Sequence, residues 1–488
     1  MQIQNELTQR LRATGSDEEF VHALGACDVD ALDLRLADLP GRWHHVTLPA
    51  CRVDSSLFMD GVGFDGSSVS GFKRVERGDM VLVPDRTTAQ VEEWDSKVLV
   101  ALLASAAEAQ TKSVFPLDPR HLAARAEEAL RASGHADESL WSPELEFYVF
   151  SSVSYDERRN GAFYSVESEE AGWDGGEGGK PTLGYRVRSG GGYHVSPPCD
   201  RLFEFRNEVV TSLEDAGVPV KYHHHENGAP GQLEIELTAE PLLRTADHVM
   251  LAKHVIRNAA YEWDLAATFM PKPLAGEAGS GLHVHVKLTR AGRPIFHSED
   301  GYAGLSTDAL HFIGGILSHG RALSAILSPS TNSYRRLRPG YEAPTNLFFS
   351  AGNRSAAIRI PRYATRPESK AFEYRPPDAS ANPYLMLAAL LAAGLDGLER
   401  KIDPKTRGFG PFDRNVHELP RRERDRIEPL PGSLFEALAE LEKDSDFLTS
   451  SGIFPGDFVE TWVDLKREEV EAVATRPHPA EYGLYFDC

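Results

Sequence analysis

A chain of 488 residues exceeds what one hydrophobic core usually organises, so two or more domains, or one large elaborated domain, are expected. Its 41% hydrophobic share is ordinary for a globular protein and excludes a disordered composition. A formal charge of −21 argues against nucleic acid or an anionic membrane surface as the main partner.

The amino terminus, "MQIQNELTQRLRATGSDEEF", lacks the apolar core of a signal peptide and predicts a short polar helix. "ALDLRLADL" (Ala31–Leu39) alternates apolar and polar residues, and "HHVTLPACRV" continues with strand character. "VGFDGSSVSGF" (Val62–Phe72), rich in Gly and Ser, predicts a mobile loop. "DMVLVPD" and "SKVLVALLA" are strands again, and "LDPRHLAARAEEALRASG" predicts a helix with an Asp-Pro start and a Gly stop. A domain boundary is placed there, giving domains 1–117 and 118–488. Gly172–Gly192 is a long glycine-rich loop. "YLMLAALLAAGL" (Tyr384–Leu395) is the longest apolar run, too short to span a bilayer, and predicts a buried helix. "GSLFEALAELEKD" predicts another helix. Cys27, Cys51, Cys199 and Cys488 form no CxxC pair, so neither a disulfide framework nor a thiolate zinc site is expected. A cytoplasmic protein that does not enter membranes is the expectation.

Four segments share a period of two. Glu144 and Glu146 alternate with Leu145 and Phe147; Glu234 and Glu236 alternate with Leu233, Ile235 and Leu237. His283, His285 and Lys287 alternate with Leu282, Val284 and Val286, and Glu373 and Arg375 alternate with Phe372 and Tyr374. Successive strand side chains point to opposite faces, so each segment buries an apolar face and presents carboxylates or imidazoles on the other. One such strand is ordinarily just half solvated. Four on one curved sheet would converge, and converging carboxylates repel unless cations intervene. Oxygen-rich ligands with few imidazoles suit Mg²⁺ or Mn²⁺ better than Zn²⁺, which directs attention to phosphoryl chemistry. Arg335, Arg336, Arg338, Arg354 and Arg359 supply the complementary anion-binding groups. No GxxxxGK[ST] loop is present, so a P-loop ATPase is disfavoured.

On "FDGSSVSGF", "SPELEFYVF", "GGGYHVSPP", "HHHENGAPGQLE", "ATFMPKP", "GSGLHVH", "NSYRRLRPGYEAP", "NRSAAIRIP" and "ANPYL", in that order, the chain resembles glutamine synthetases of the bacterial class I type. The likeness covers nearly its whole length. It implies an α+β protein: an amino-terminal β-grasp domain and a larger catalytic domain with a curved antiparallel sheet flanked by helices. It also implies a homo-oligomer of double hexameric rings, a dodecamer with active sites between subunits. The implied reaction phosphorylates the γ-carboxylate of glutamate with ATP, and ammonia then displaces the phosphate.

Residue by residue, the resemblance implies one metal site at Glu146, Glu226 and Glu234 and another at Glu144, His283 and Glu373, for Mg²⁺ or Mn²⁺. It implies ATP contacts at Arg354, Arg359 and His285, and glutamate contacts at Gly279, Arg336 and Arg375. Asp65 matches the residue that deprotonates ammonium, and Glu342 matches the flap that closes the site. Ser68, Tyr193 and Glu226 complete the ammonium pocket with these two. His223, His224 and His225 match the family's histidine run and are expected to pack around the site.

The chain departs from the family at Ala278, where Asn is usual before "GSG", at Lys287 in place of Ser, and at Ala371 in place of a basic residue. "LTAE" (Leu237–Glu240) replaces the stretch carrying an aromatic near the expected adenine site. His417 stands where many relatives carry the adenylylated tyrosine, so that regulation is expected to be absent. Retention of Asp65, Tyr193 and Glu342 favours ammonia over an organic amine as nucleophile, the γ-glutamyl-amine ligase being the alternative. Retention of every metal-ligand type disfavours a catalytically silent homologue.

Overall fold

The computed structural model describes residues 2–94, 97–173, 184–340, 343–414, 416, 419–424 and 426–488. Two helices, Asn5–Arg12 and Asp17–Gly25, stand where the sequence predicts one, because Ser16 caps the second with its side chain on the Glu19 N–H and so restarts the helix. Strand β1 (Gln2–Ile3) precedes them.

The first sheet is mixed. Strands β2 (Ala31–Ala37), β3 (Trp43–Pro49), β4 (Val62–Asp65), β5 (Asp79–Trp94) and β6 (Lys97–Glu108) join β1 in the order β1-β5-β6-β2-β3, with β4 on β5. β2 and β6 run parallel and the other neighbours antiparallel. The predicted loop at Val62–Phe72 is therefore corrected at its start: Val62–Asp65 pairs with β5, and only then does a 3₁₀ turn, Gly66–Ser68, lead away. Local Gly and Ser content signals the turn and misses the strand, since pairing with a distant partner overrides a short polar stretch.

The helix Pro119–Ser133 begins and ends as its sequence predicts. The Asp118 side chain accepts from the His121 N–H at the cap, and Gly134 closes the other end at φ 70. Asp118 also accepts the Ala106 N–H at 2.8 Å, tying β6 to the start of the helix. Asn382 caps the helix Pro383–Glu399 and donates to the Asp38 and Leu39 carbonyls, linking the buried apolar helix to the first sheet.

The second sheet carries the site. It contains β7 (Glu138–Phe150), β10 (Val220–His225), β11 (Gln232–Leu237), β14 (Leu282–Arg290), β16 (Phe349–Ala351), β17 (Ile358–Ile360) and β18 (Phe372–Tyr374), in the order β10-β11-β7-β14-β18-β17-β16. β12 (Glu240–Pro241) and β13 (Ala266–Thr268) add to β7, and β15 (Arg293–Pro294) adds to β14. A separate hairpin, β8 (Ser152–Arg158) with β9 (Gly161–Glu167), projects from the end of β7. Every pairing in the second sheet is antiparallel except β16 with β17.

Leu145, Phe147, Leu233, Ile235, Leu282, Val284, Val286 and Phe372 form part of one core with the helices Leu242–Glu262 and Pro383–Glu399. Each fully buried side chain of this size contributes about 1.5–3 kcal/mol. That sum outweighs the roughly 0.2–1 kcal/mol by which a directly opposed pair of like charges on the other face works against the sheet. The second face is not half solvated: β11 is buried at every position. The glycine-rich loop lies partly beyond the described residues, at 174–183. No helix among the described residues is long and apolar enough to cross a membrane.

Candidate active site

Register brings the four polar rows together. Glu234 pairs with Glu146 and Glu236 with Glu144 across β11 and β7. Glu144 pairs in turn with His283 on β14, His285 with Glu373 on β18, and Glu373 with Arg359 on β17. His224 on β10 pairs with Glu234. Two pairs of carboxylates therefore face each other directly in a buried surface, an arrangement a sheet ordinarily avoids.

This surface floors a cavity of about 580 Å³. Glu144, Glu146, Glu226, Glu234, His283 and Glu373 line it with Gly279, Arg336, Arg354, Arg359, Arg375 and Tyr193. All six proposed metal ligands thus meet in one place. Carboxylate and imidazole ligand atoms of Glu144, His283 and Glu373 lie within 4.8 Å of one another, as do those of His224, Glu226 and Glu234. His224, expected only to pack nearby, belongs to this second group: its Nε2 is 3.5 Å from Glu234 and its Nδ1 is 3.0 Å from the His225 carbonyl. Glu146 is missing from that group, although its Oε1 lies 3.7 Å from His283 Nδ1 and its Oε2 accepts the Gly281 N–H at 2.7 Å.

His283 lies between two of these groups, its Nδ1 3.0 Å from Glu144 Oε2 and its Nε2 3.3 Å from the Arg336 guanidinium. Arg336 is further fixed by donating to the Pro376 and Arg375 carbonyls at 2.7 and 3.1 Å. The chain must pass tightly beneath it: a Cβ on Gly281 would stand 2.6 Å from the Arg336 guanidinium and 2.7 Å from His283 Nε2. One on Gly279 would meet the Pro271 carbonyl at 2.5 Å. Glycine is required there by space.

Charge is unevenly shared. Burial disfavours the ionised form of Glu144, but hydrogen bonds and charge from His283 and His285 outweigh it and hold its carboxyl well below the usual range. Burial likewise opposes ionisation of Glu373, and Arg375 overrides it, pulling the group down to about 2. Arg359 and Arg375 both donate to Glu373. Glu234 goes the other way: burial, then Glu144, Glu146, Glu236 and Glu373, push it well above the usual range. The donor set of carboxylates and imidazoles, with this crowding of negative charge, fits divalent cations.

Other expected residues lie apart. His285, 2.9 Å from Glu144 Oε1, sits behind the cavity surface. Asp65 and Ser68 are in the first sheet's turn and do not line the cavity. Asp65 accepts from the Ser67 hydroxyl at 2.7 Å, the Ser67 N–H at 2.9 Å and the Ser68 hydroxyl at 2.9 Å; the Ser67 hydroxyl first, then its N–H and Ser68, lower its pKa. Glu342 and His417 lie outside the described residues. Tyr193 stacks on His194 at 4.1 Å, and the Arg354 guanidinium lies 6.0 Å from its ring. Lys221, Tyr222, His194 and Tyr363 also line the cavity and escaped the sequence reading. Lys221 and Tyr222 directly precede the histidine run, and no local pattern distinguishes them from surface residues.

The departures find local accommodation. Ala278 lines the cavity, its carbonyl accepting from the Tyr148 hydroxyl at 2.7 Å. Lys287 donates to the Glu368 carbonyl at 2.8 Å. Lys370, beside Ala371, donates to the Ala303 carbonyl.

The fold and the site together define a class: a two-domain α+β enzyme whose cavity sets buried carboxylates and imidazoles against arginines. The family model described as "Glutamine synthetase, beta-Grasp domain" matches residues 28–108, and "Glutamine synthetase, catalytic domain" matches 116–485. The chain is 44% identical over 465 residues to a glutamine synthetase of Mycolicibacterium smegmatis, covering 94% of this chain and 96% of that protein. It is 46% identical over 464 residues to one of Frankia alni, covering 94% and 97%. Among solved structures it resembles a Plasmodium falciparum glutamine synthetase with a TM-score of 0.88 and 26% identity, over 97% of this chain and 99% of that one. The chain belongs to the glutamine synthetase family, with relatives of the bacterial type. It is an ATP-dependent carbon–nitrogen ligase, and the alternative of an organic amine as nucleophile is not favoured.

Proposed function

We propose that the cavity on the second sheet is where glutamate is phosphorylated on its γ-carboxylate by ATP and where ammonia then displaces phosphate to give glutamine. The observation that carries this is the register: Glu234 opposite Glu146 and Glu236 opposite Glu144, in a buried surface that arginines face. Glu226, Glu234 and His224, with Glu146 opposite Glu234 on the neighbouring strand, would hold one divalent cation, and Glu144, His283 and Glu373 another. Mg²⁺ or Mn²⁺ bound there would neutralise negative charge on the phosphoryl group in transfer.

The protein's own groups account for the rest. Arg336 and Arg375 hold the glutamate carboxylate beside Gly279, where the absent Cβ lets the substrate approach the backbone. Arg354 and Arg359 meet the phosphates, with Arg354 stabilising the charge that develops during transfer. Asp65, its ionised form favoured by Ser67 and Ser68, attracts ammonium by charge, and its match to the family's motif gives it the further role of taking the proton. Because Asp65 and Ser68 lie outside their own chain's cavity, they serve the site of a neighbouring subunit in a ring-shaped homo-oligomer, a double hexamer. Tyr193, Glu226 and Glu342 complete the ammonium pocket, and Glu342 closes it. A cytoplasmic protein divided at residues 117 and 118 fits the same reading.

The test is phosphate release from ATP with Mg²⁺ or Mn²⁺ and glutamate, comparing ammonium with a panel of organic amines. Release with ammonium is expected. Release with amines alone would overturn the choice of nucleophile, and no release with any nucleophile would mark a silent homologue.

A further inference from the structure

A second cavity, of about 570 Å³, shares no lining residue with the first. It lies where the two domains meet. Arg12 reaches it from the helix Asn5–Arg12, Trp43 and Gln90 from β3 and β5, and Arg244 and Asp247 from the helix Leu242–Glu262. Its volume falls in the range of about 300–1,000 Å³ that sites for small organic molecules occupy.

Two donors are left over there. Trp43 Nε1 and Gln90 Nε2 are buried with no hydrogen-bond partner among the described residues, and Gln90 as a whole is 3% exposed. The Gln90 amide cannot turn round to escape this. Arg12 Nη2 donates to its oxygen at 3.1 Å, and a guanidinium has no acceptor, so the amide nitrogen is the atom left unpaired. A buried donor in this position has given up water and gained nothing in exchange.

One cation is also unpaired. Arg35 gives both Nη atoms to Glu92 at 2.7 Å and its Nε to Asp33 at 3.0 Å. Arg120 is held at 3.0 Å by Asp85 and Asp247, and Arg244 Nε is 3.1 Å from Glu240. Arg12 donates only to uncharged groups, the Ala89 carbonyl at 2.7 Å and Gln90, and makes no ion pair among the described residues. Burial first, then Arg244, disfavours its charged form, and Asp247 does not offset them.

An oxyanion would satisfy both N–H groups and the cation together. A single unpaired arginine beside Asp85, Asp247 and Glu127 balances one negative charge, which selects a carboxylate over a doubly charged phosphate. Leu102, Leu103, Leu243 and Leu251 line the same cavity, so the body of the molecule is apolar.

We propose that this interdomain cavity is a binding site for a small organic monocarboxylate. Its carboxylate is held by Arg12, Gln90 and Trp43, and its apolar tail lies along the leucines. Such a ligand fastens the first sheet to the helix Leu242–Glu262. The site does not depend on the chemistry proposed for the first cavity.

The test uses the full-length protein with para-bromobenzoate, which carries one negative charge and whose bromine marks the tail in anomalous diffraction. Calorimetric titrations compare it with para-bromobenzamide and with inorganic phosphate. The bromobenzoate is expected to bind saturably and more tightly than either control. A bromine peak is expected beside Leu243 and Leu251, with the carboxylate on Arg12, Gln90 and Trp43. Gln90→Glu removes the donor and gives Arg12 a carboxylate of its own, so affinity should fall by about tenfold. Trp43→Phe deletes the indole N–H and should weaken binding by about fivefold. Ordered water on both nitrogens with no bromine in this cavity overturns the site, as does density in crystals without saturable binding in solution. Equal binding of the benzamide overturns the anionic head, and tighter binding of phosphate overturns the carboxylate. A probe found only in the first cavity, with affinity unchanged in Gln90→Glu, overturns it too. Should Gln90→Glu fail to fold, the wild-type bromine map and Trp43→Phe decide.

Discussion

Glu234→Gln tests the opposed carboxylates most directly, because glutamine keeps the shape and removes the charge. Glu234 faces Glu146 across β11 and β7, and Glu144, Glu236 and Glu373 press on it as well. A directly opposed like-charge pair costs about 0.2–1 kcal/mol. With three further carboxylates nearby, the metal-free variant should be more stable than the wild type by roughly 1 kcal/mol at neutral pH. Cations reverse the sign. A site held at a hundred times its Kd adds about 2.7 kcal/mol to the folded state, and the substitution forfeits most of it.

The assay is thermal unfolding in EDTA and again in excess Mn²⁺. The variant should melt above the wild type in chelator and below it with metal. pH supplies a second readout. The folded-state pKa of Glu234 is raised above the ordinary glutamate value of 4.5, so its contribution is fully present below 4.5 and is lost as pH climbs through the raised value. Metal-free wild type should therefore lose stability with rising pH in that window, and the variant should lose less. Glu144 and Glu373 act in the opposite window: their depressed values contribute stability above 4.5 that is lost as pH falls, for Glu373 toward about 2. Superimposable melting curves in EDTA and equal gains with Mn²⁺ would refute both the repulsion and the ligand role.

Arg354→Ala should lower kcat by about 10²–10³ if Arg354 stabilises the transferring phosphoryl group, measured as phosphate release; a loss under tenfold removes it from that role. Gly281→Ala should raise the KM for glutamate and weaken Mn²⁺ binding together, because its Cβ displaces both Arg336 and His283; unchanged values would mean the strand yields. Asp65→Asn and Glu234→Gln proteins, each expected to be nearly inactive, should regain activity when dissociated and reassembled as mixed oligomers. Absence of recovery would place Asp65 in its own chain's site.

Much of the site is legible from one strand at a time. Alternation is a local property of extended backbone, so "PELEF", "QLEIEL", "LHVHV" and "FEYR" announce which side chains share a face before any neighbour is known. The same holds for the helix Pro119–Ser133, whose cap and stop residues lie beside it in sequence. The strand at Val62–Asp65 was not legible, because its pairing to β5 outweighs its glycine content.

Taken by itself, the sequence determined the polar rows, the arginines and the motifs of the family. Only the tertiary structure decided their register. Glu146 accepts from the Gly281 N–H across 135 residues of chain, and nothing local says that Glu234 stands opposite Glu146 or Glu236 opposite Glu144. Burial of both faces of β11 and the entry of His224 into a ligand cluster follow from that pairing. The physical reason is range. Periodicity is imposed by backbone geometry over a few residues, whereas the meeting of like charges needs long-range strand pairing, held by the apolar core behind it.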